Sequence, residues 1–231
     1  MKNIFFLFLL LYSLGAMAQN DQLKTDWANM KKYSLENKNL KSPSKGEKRV
    51  VFIGNSITQG WKDNDSNFFS SNSYIDRGIS GQTTSQMLVR FREDVISLKP
   101  AVVVILAGIN DIAENTGPIA LEDIFGNIVS MAELAKSNKI KVVLSSVIPA
   151  NVIPWRPEIK PAEKVFQLNS MIESYCKKNN IVFLDYYSKM VDENKGLDKK
   201  LTLDGVHPTL AGYKIMEPLV EKAIKSALSR K

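Results

Sequence analysis

Apolar positions in this chain come in two alternating kinds of pattern. Residues 50–53 form a short apolar run that ends at Gly54, and residues 101–107 (AVVVILA) form an unbroken, largely β-branched run. Runs without polar alternation suit strands buried on both faces. The same reading predicts strands over residues 140–147, closed by Pro149, over 181–184, and a shorter one over 74–76.

Between these runs the spacing becomes helical. Thr84, Met87, Leu88, Phe91, Val95 and Leu98 share one face of a helix predicted over residues 81–98. Residues 121–137, 163–178 and 209–229 read as three more amphipathic helices. Trp27, Met30 and Tyr33 stand at helical spacing in the polar stretch 20–48, which predicts a lead-in helix before a Ser/Pro/Gly/Lys loop at 41–48. Strands alternating with helices at βαβ spacing imply an α/β fold with a parallel sheet covered on both faces. No internal repeat or low-complexity tract divides the chain.

The first residues follow a different rule. Lys2 precedes the apolar run 4–14, and Ala16-Met17-Ala18 is a small-residue cleavage pattern. The run is shorter than the roughly 20 residues a membrane-spanning helix needs. Residues 1–18 are therefore expected to be a removed signal peptide of a secreted or periplasmic protein, cut after Ala18, with residues 19–231 as one domain. No Cys sits at the cleavage point, which argues against a lipoprotein. Cys176 is the single cysteine, so no internal disulfide is possible, and its helical setting marks it as a small buried residue. The formal net charge is +7. The lysines are scattered, with no basic stripe interleaved with aromatics, so a solvated surface is expected and no nucleic-acid partner.

In a parallel α/β sheet, reactive groups gather beyond the carboxyl ends of the strands. Four segments qualify: Gly54-Asn55-Ser56-Ile57-Thr58, Arg77-Gly78-Ile79-Ser80-Gly81, Gly108-Ile109-Asn110-Asp111, and Asp204-Gly205-Val206-His207-Pro208 before the last helix. Ser56 sits in a strand-to-helix turn behind a glycine. Alone, such a serine is a turn or a helix cap. A serine hydroxyl becomes a nucleophile only when a base takes its proton. His207 is the only histidine, so it is the one imidazole available for that role. Asp204 lies three residues before it, close enough to hold the ring and stabilise the imidazolium. Acyl transfer also needs donors for the developing oxyanion. Ser56 and Gly81 can offer backbone N–H groups and Asn110 its side-chain amide. Taken singly, Gly81 reads as a turn glycine and Asn110 as a turn cap.

These four segments, in this order, resemble the sequence blocks of the GDSL/SGNH hydrolase family. One position departs: Asn55 stands where that family usually has Asp. The resemblance implies Ser56 as nucleophile, Gly81 and Asn110 as oxyanion donors, His207 as base and Asp204 as its orienting carboxylate. It implies a flavodoxin-like three-layer α/β/α sandwich with five parallel strands and neither metal nor cofactor. The short loops and the GNSIT form are closest to the branch similar to platelet-activating-factor acetylhydrolase subunits.

The substrate is less sharply drawn. No long lid-like insertion is present to cover a lipid tail, which favours small acyl groups such as acetyl on carbohydrates or glycoconjugates. Trp61 and Trp155 are candidates to stack on a sugar or wall the acyl pocket, with core or loop packing as the alternative. Arg77 and Arg156 are candidates to meet an anionic group, with a solvated surface as the alternative. Three other activities fit the same residues or the same scaffold: a lysophospholipase or platelet-activating-factor-like acetylhydrolase, an O-acyl transferase, and a non-catalytic carbohydrate-binding protein.

Overall fold

The computed structural model describes residues 26–230, so the leader-like stretch 1–18 lies outside the described residues. The apolar runs form one five-stranded sheet: β1 (Val50–Gly54), β2 (Tyr74–Gly78), β3 (Val102–Leu106), β4 (Lys141–Ser145) and β5 (Val182–Leu184). Every pairing is parallel and the order is β2-β1-β3-β4-β5. This is the flavodoxin-like order, and the chain reverses its direction of winding between β1 and β3. All residues of β1 and β3 are buried, as their uninterrupted apolar sequences require.

The described helices are α1 (Ser34–Asn39), α2 (Ser56–Asn64), α3 (Ser66–Ser70), α4 (Thr84–Asp94), α5 (Ile109–Ile112), α6 (Leu121–Ser137), α7 (Ala162–Lys178), α8 (Tyr187–Met190) and α9 (Leu210–Ser229). α4, α6 and α7 pack side by side in one layer, while α2 and α9 contact each other in the second. The predicted three-layer sandwich is therefore the observed one. Cys176 is buried in α7, and burial pushes its thiol up to about 12.

Three expectations change. The lead-in segment is not one helix on Trp27, Met30 and Tyr33. It is a series of turns, with Asn29 at φ 53°, followed by the short α1. Asp26 produces this by accepting from the Met30 and Lys31 N–H groups. The helix expected over 81–98 begins only at Thr84. Thr83 and Gln86 form a capping box there, and Lys99 before Pro100 ends the element in a left-handed residue.

Trp61 is the third change. It is only 2% exposed. Its ring stacks on Phe68 at 5.0 Å and on Tyr213 at 5.5 Å, with Phe52 and Phe69 edge-on. The periodicity of α2 places it one turn beyond Ile57, on the face against the sheet, so it is core and faces no substrate.

Candidate active site

The carboxyl ends of β1, β2 and β3 bring three of the four sequence segments together. Ser56 is the first residue of α2, directly after β1. Two glycines let that helix start lie against the strand ends. A Cβ on Gly54 would meet Thr58 Oγ1 at 2.1 Å and the Leu106 carbonyl at 2.8 Å; one on Gly78 would meet the Gln59 nitrogen at 2.2 Å. The Asn55 side chain caps the helix by accepting from the Ile57 N–H at 3.0 Å. It is therefore the cap oxygen of this residue, and not a charge, that sets the turn.

His207 arrives from the loop before α9. Its Nε2 lies 2.8 Å from Ser56 Oγ, and its Nδ1 lies 2.6 Å from Asp204 Oδ2. The other Asp204 oxygen accepts from the Val206 and His207 N–H groups at 2.9 and 2.8 Å. Partial burial raises the Asp204 pKa, but these bonds from His207 and Val206 outweigh it and hold the carboxyl below its usual range. Thr202 closes the loop. Its hydroxyl donates to the His207 carbonyl at 2.8 Å and accepts from the Gly205 N–H at 3.0 Å. Gly205 has φ +85°, a conformation that favours glycine.

Three N–H sources stand beyond the ends of β1, β2 and β3. Ser56 opens α2, so its N–H has no acceptor inside the helix. Among the described residues, no protein group accepts from the Ser56 or Gly81 backbone N–H. Asn110 is buried at the start of α5 and donates one amide hydrogen to the Gln82 carbonyl at 2.9 Å. A primary amide has two, which leaves the second for the site. Serine, imidazole, carboxylate and these donors make a set able to activate a hydroxyl and hold an oxyanion beside it.

A buried polar layer fixes this arrangement, and the sequence reading did not single it out. Asp111 accepts from the Thr84 N–H and hydroxyl, joining the start of α4 to α5. Arg90, wholly buried, donates to the Gly54 carbonyl, to Gln82 Oε1 and to Asp94. Gln82 thus links Arg90, Asn110 and, through its own amide, the Ala28 carbonyl at 2.7 Å. The visible cue was the run of charged and amide residues on an otherwise apolar helix face: Gln82, Gln86, Arg90 and Asp94 at steps of four.

The remaining sequence candidates divide. Arg77 does not reach the site. It is fully buried, donates to Asn37, Glu36 and the Asp76 carbonyl, and lies 4.6 Å over the Tyr33 ring. It fastens α1 to β2, and Trp61 lies in the core as described. Trp155 and Arg156 do reach the mouth of the site. The Trp155 ring centroid is 6.0 Å from that of His207, and its Nε1 donates to Asn115 Oδ1 at 2.9 Å. Asn115 in turn donates to the Gly81 carbonyl at 3.1 Å. Arg156 is paired with Glu114 and Glu158 at 3.3 and 2.6 Å. Both residues line a cleft of about 840 Å³ that also includes Gly81, Gln82 and Trp27. Among the described residues, no group of three or more His, Cys, Asp or Glu side chains is placed to hold a metal ion.

Comparison with known proteins shows the family of the chain. The profile of the GDSL-like Lipase/Acylhydrolase family matches residues 52–215. The structure of a GDSL-like lipase from Bacteroides thetaiotaomicron VPI-5482 is 59% identical with a TM-score of 0.85, covering 87% of this chain and 98% of that one. A candidate acylhydrolase from Bacteroides fragilis NCTC 9343 is 55% identical with a TM-score of 0.87, covering 88% of this chain and 99% of its own. An acetylxylan esterase from Geobacillus stearothermophilus is 26% identical over 150 residues, 62% of this chain and 67% of that protein.

Proposed function

The chain belongs to the GDSL-like lipase/acylhydrolase family, and we propose on that basis that it hydrolyses short-chain O-acyl esters, acetyl above all, on carbohydrates. The chain is a carboxylic ester hydrolase of the GDSL type. The observation that carries the finer reading is the continuous Ser56–His207–Asp204 chain, at 2.8 and 2.6 Å. Ser56 Oγ attacks the acyl carbon while His207 Nε2 takes its proton. The carbonyl oxygen becomes an oxyanion held by the Ser56 and Gly81 N–H groups and the Asn110 amide. As the tetrahedral intermediate collapses, the bond to the sugar oxygen breaks and the imidazolium gives that oxygen the proton, so the sugar leaves as an alcohol and an acyl-serine remains. Water, deprotonated by the same imidazole, then releases the carboxylic acid and restores Ser56.

The cleft supports a sugar ester over a lipid. Among the described residues that line it, Ile79 is the one aliphatic side chain, and the rest are aromatic, polar, charged or glycine. The 26% identical relative is named for acetylated xylan. The sequence of residues 1–18 supports export, and among the described residues no helix is long and apolar enough to cross a membrane.

The test is an acyl-chain series of aryl esters, followed by acetate release from acetylated polysaccharides. The expected profile is highest at acetyl and falls steeply with chain length. A maximum at long chains would favour a lysophospholipase instead. Transfer of acetyl to an added sugar in preference to water would favour the transferase, and no turnover of any ester would favour a binding protein.

A further inference from the structure

We infer that residues 26–29, outside the family-matched core, build a second sugar subsite, in which Trp27 with Trp155 binds a neutral oligosaccharide beyond the unit that carries the ester. The inference rests on the reading of the site as a carbohydrate esterase. Its own observations are separate from that chemistry.

The first is construction. The lead-in segment is fixed to the oxyanion side of the site by two buried glutamines. Gln86 donates to the Trp27 carbonyl at 2.7 Å, and Gln82 donates to the Ala28 carbonyl at 2.7 Å. Those are the residues that cap α4 and receive the Asn110 amide. The wall is thus held through its backbone carbonyls, by bonds that do not involve the indole of Trp27.

The second is exposure. Trp27 is 44% exposed and Trp155 is 41% exposed, and both line the same cleft as Gly81. An exposed indole costs solvation that a core position would recover, and Trp61 shows where this fold puts a tryptophan it packs. The Trp155 Nε1 is fixed by Asn115, and the residue lines the cleft.

The third is charge. Arg156 is neutralised by Glu114 and Glu158, and among the described residues no lysine lines the cleft. Both Asp26 oxygens accept from the Met30 and Lys31 backbone. No unpaired cation among the described lining residues meets a phosphate or a uronic acid. Flat aromatic faces with amides between them suit the apolar faces and hydroxyl edges of neutral pyranose rings. A volume of about 840 Å³ is large for one such ring.

The experiment compares an acetylated xylose with an acetylated xylotriose. Calorimetric titration of Ser56→Ala reads binding without turnover. The trisaccharide is expected to bind about tenfold or more tightly than the monosaccharide, the scale of one aromatic contact in a desolvated site. Adding Trp27→Ala should erase that gain, and Trp27→Tyr should keep most of it. Because the Trp27 carbonyl survives each change, circular dichroism and Tm should match the parent. If the trisaccharide gains nothing, or if the gain survives Trp27→Ala, the inference fails. Hydrolysis of aryl acetate by the native enzyme separates the two ideas: with it, such a failure leaves the esterase reading standing. Without it, that reading falls and takes the subsite with it.

Discussion

Ser56 Oγ and His207 Nε2 lie 2.8 Å apart although 151 residues separate them in the chain. The contact joins the start of α2 to the loop before α9, and Tyr213 of α9 ties the two helices by donating to the Ile57 carbonyl at 2.9 Å. Ser56→Ala should lower kcat on aryl acetate by at least about 10³-fold, because the nucleophile and its base act as a unit. Its Tm should stay within a few degrees of the native value, since Ser56 is only half-buried. Turnover near the native rate would exclude an acyl-serine.

Asn110 is expected to act on the transition state and hardly on the bound ester. Asn110→Ala should reduce kcat by about 10²–10³-fold with KM little changed, the usual effect of losing one oxyanion donor. It also leaves the Gln82 carbonyl without its donor, so the loss of stability should be on the order of 1–2 kcal/mol. Steady-state kinetics beside urea unfolding separate the two effects. A change confined to KM would place Asn110 in ground-state binding.

The strand pattern was readable because buried parallel strands leave no polar alternation. Residues 50–53 and 101–107 could hardly be anything else. The four segments at the strand ends were readable because their residue types have few other reasons to occur together. The lead-in segment was misread for a physical reason. Its aromatic spacing is helical, but Asp26 accepts from the Met30 and Lys31 backbone and turns the chain. Trp61 and Arg77 were misplaced because a side chain's type does not tell which face of its element it occupies. Trp61 falls on the sheet side of α2, and Arg77 is on a β2 edge that α1 covers. The polar layer of Gln82, Arg90 and Asp111 went unread because buried polar residues resemble surface ones until their partners are known.

Trp61 and Trp155 should separate cleanly on substitution. Trp61→Ala removes a core ring stacked between Phe68 and Tyr213, a change that costs about 3–5 kcal/mol. Trp155→Ala should cost less than about 1 kcal/mol, because the ring is 41% exposed. Instead it should raise KM for an acetylated oligosaccharide several-fold. Denaturant midpoints and KM measured on both variants check this. A destabilised Trp155→Ala with unchanged KM would return that residue to simple loop packing.

Thr202 should matter to catalysis without touching substrate. Its hydroxyl joins the His207 carbonyl to the Gly205 N–H within the loop that presents the imidazole. Thr202→Val keeps the shape and leaves both groups unpartnered, at a cost of about 1–3 kcal/mol. Imidazole placement should loosen, so kcat is expected to fall about tenfold with KM unaltered. Thr202→Ser should restore kcat, a rescue that lost packing alone would not produce.

Asp111 gives the stability of this protein a pH dependence of unusual sign. Its carboxyl is 1% exposed, and burial raises it from an ordinary 3.8 to about 6 despite the bonds from Thr84. Between those values the folded state holds a proton that the unfolded chain has released. Stability from this group is therefore complete below about pH 3.8 and declines as pH rises through about 6, beyond which the difference is constant. Most carboxylates that gain partners on folding give the opposite slope. Asp111→Asn keeps an acceptor for Thr84 and cannot titrate. Urea unfolding of the two proteins across this range should show the native protein losing stability relative to the variant, by on the order of 2 kcal/mol. Parallel curves, or a native advantage that grows with pH, would mean that Asp111 is ionised throughout and held by Thr84 as a charged cap of α4.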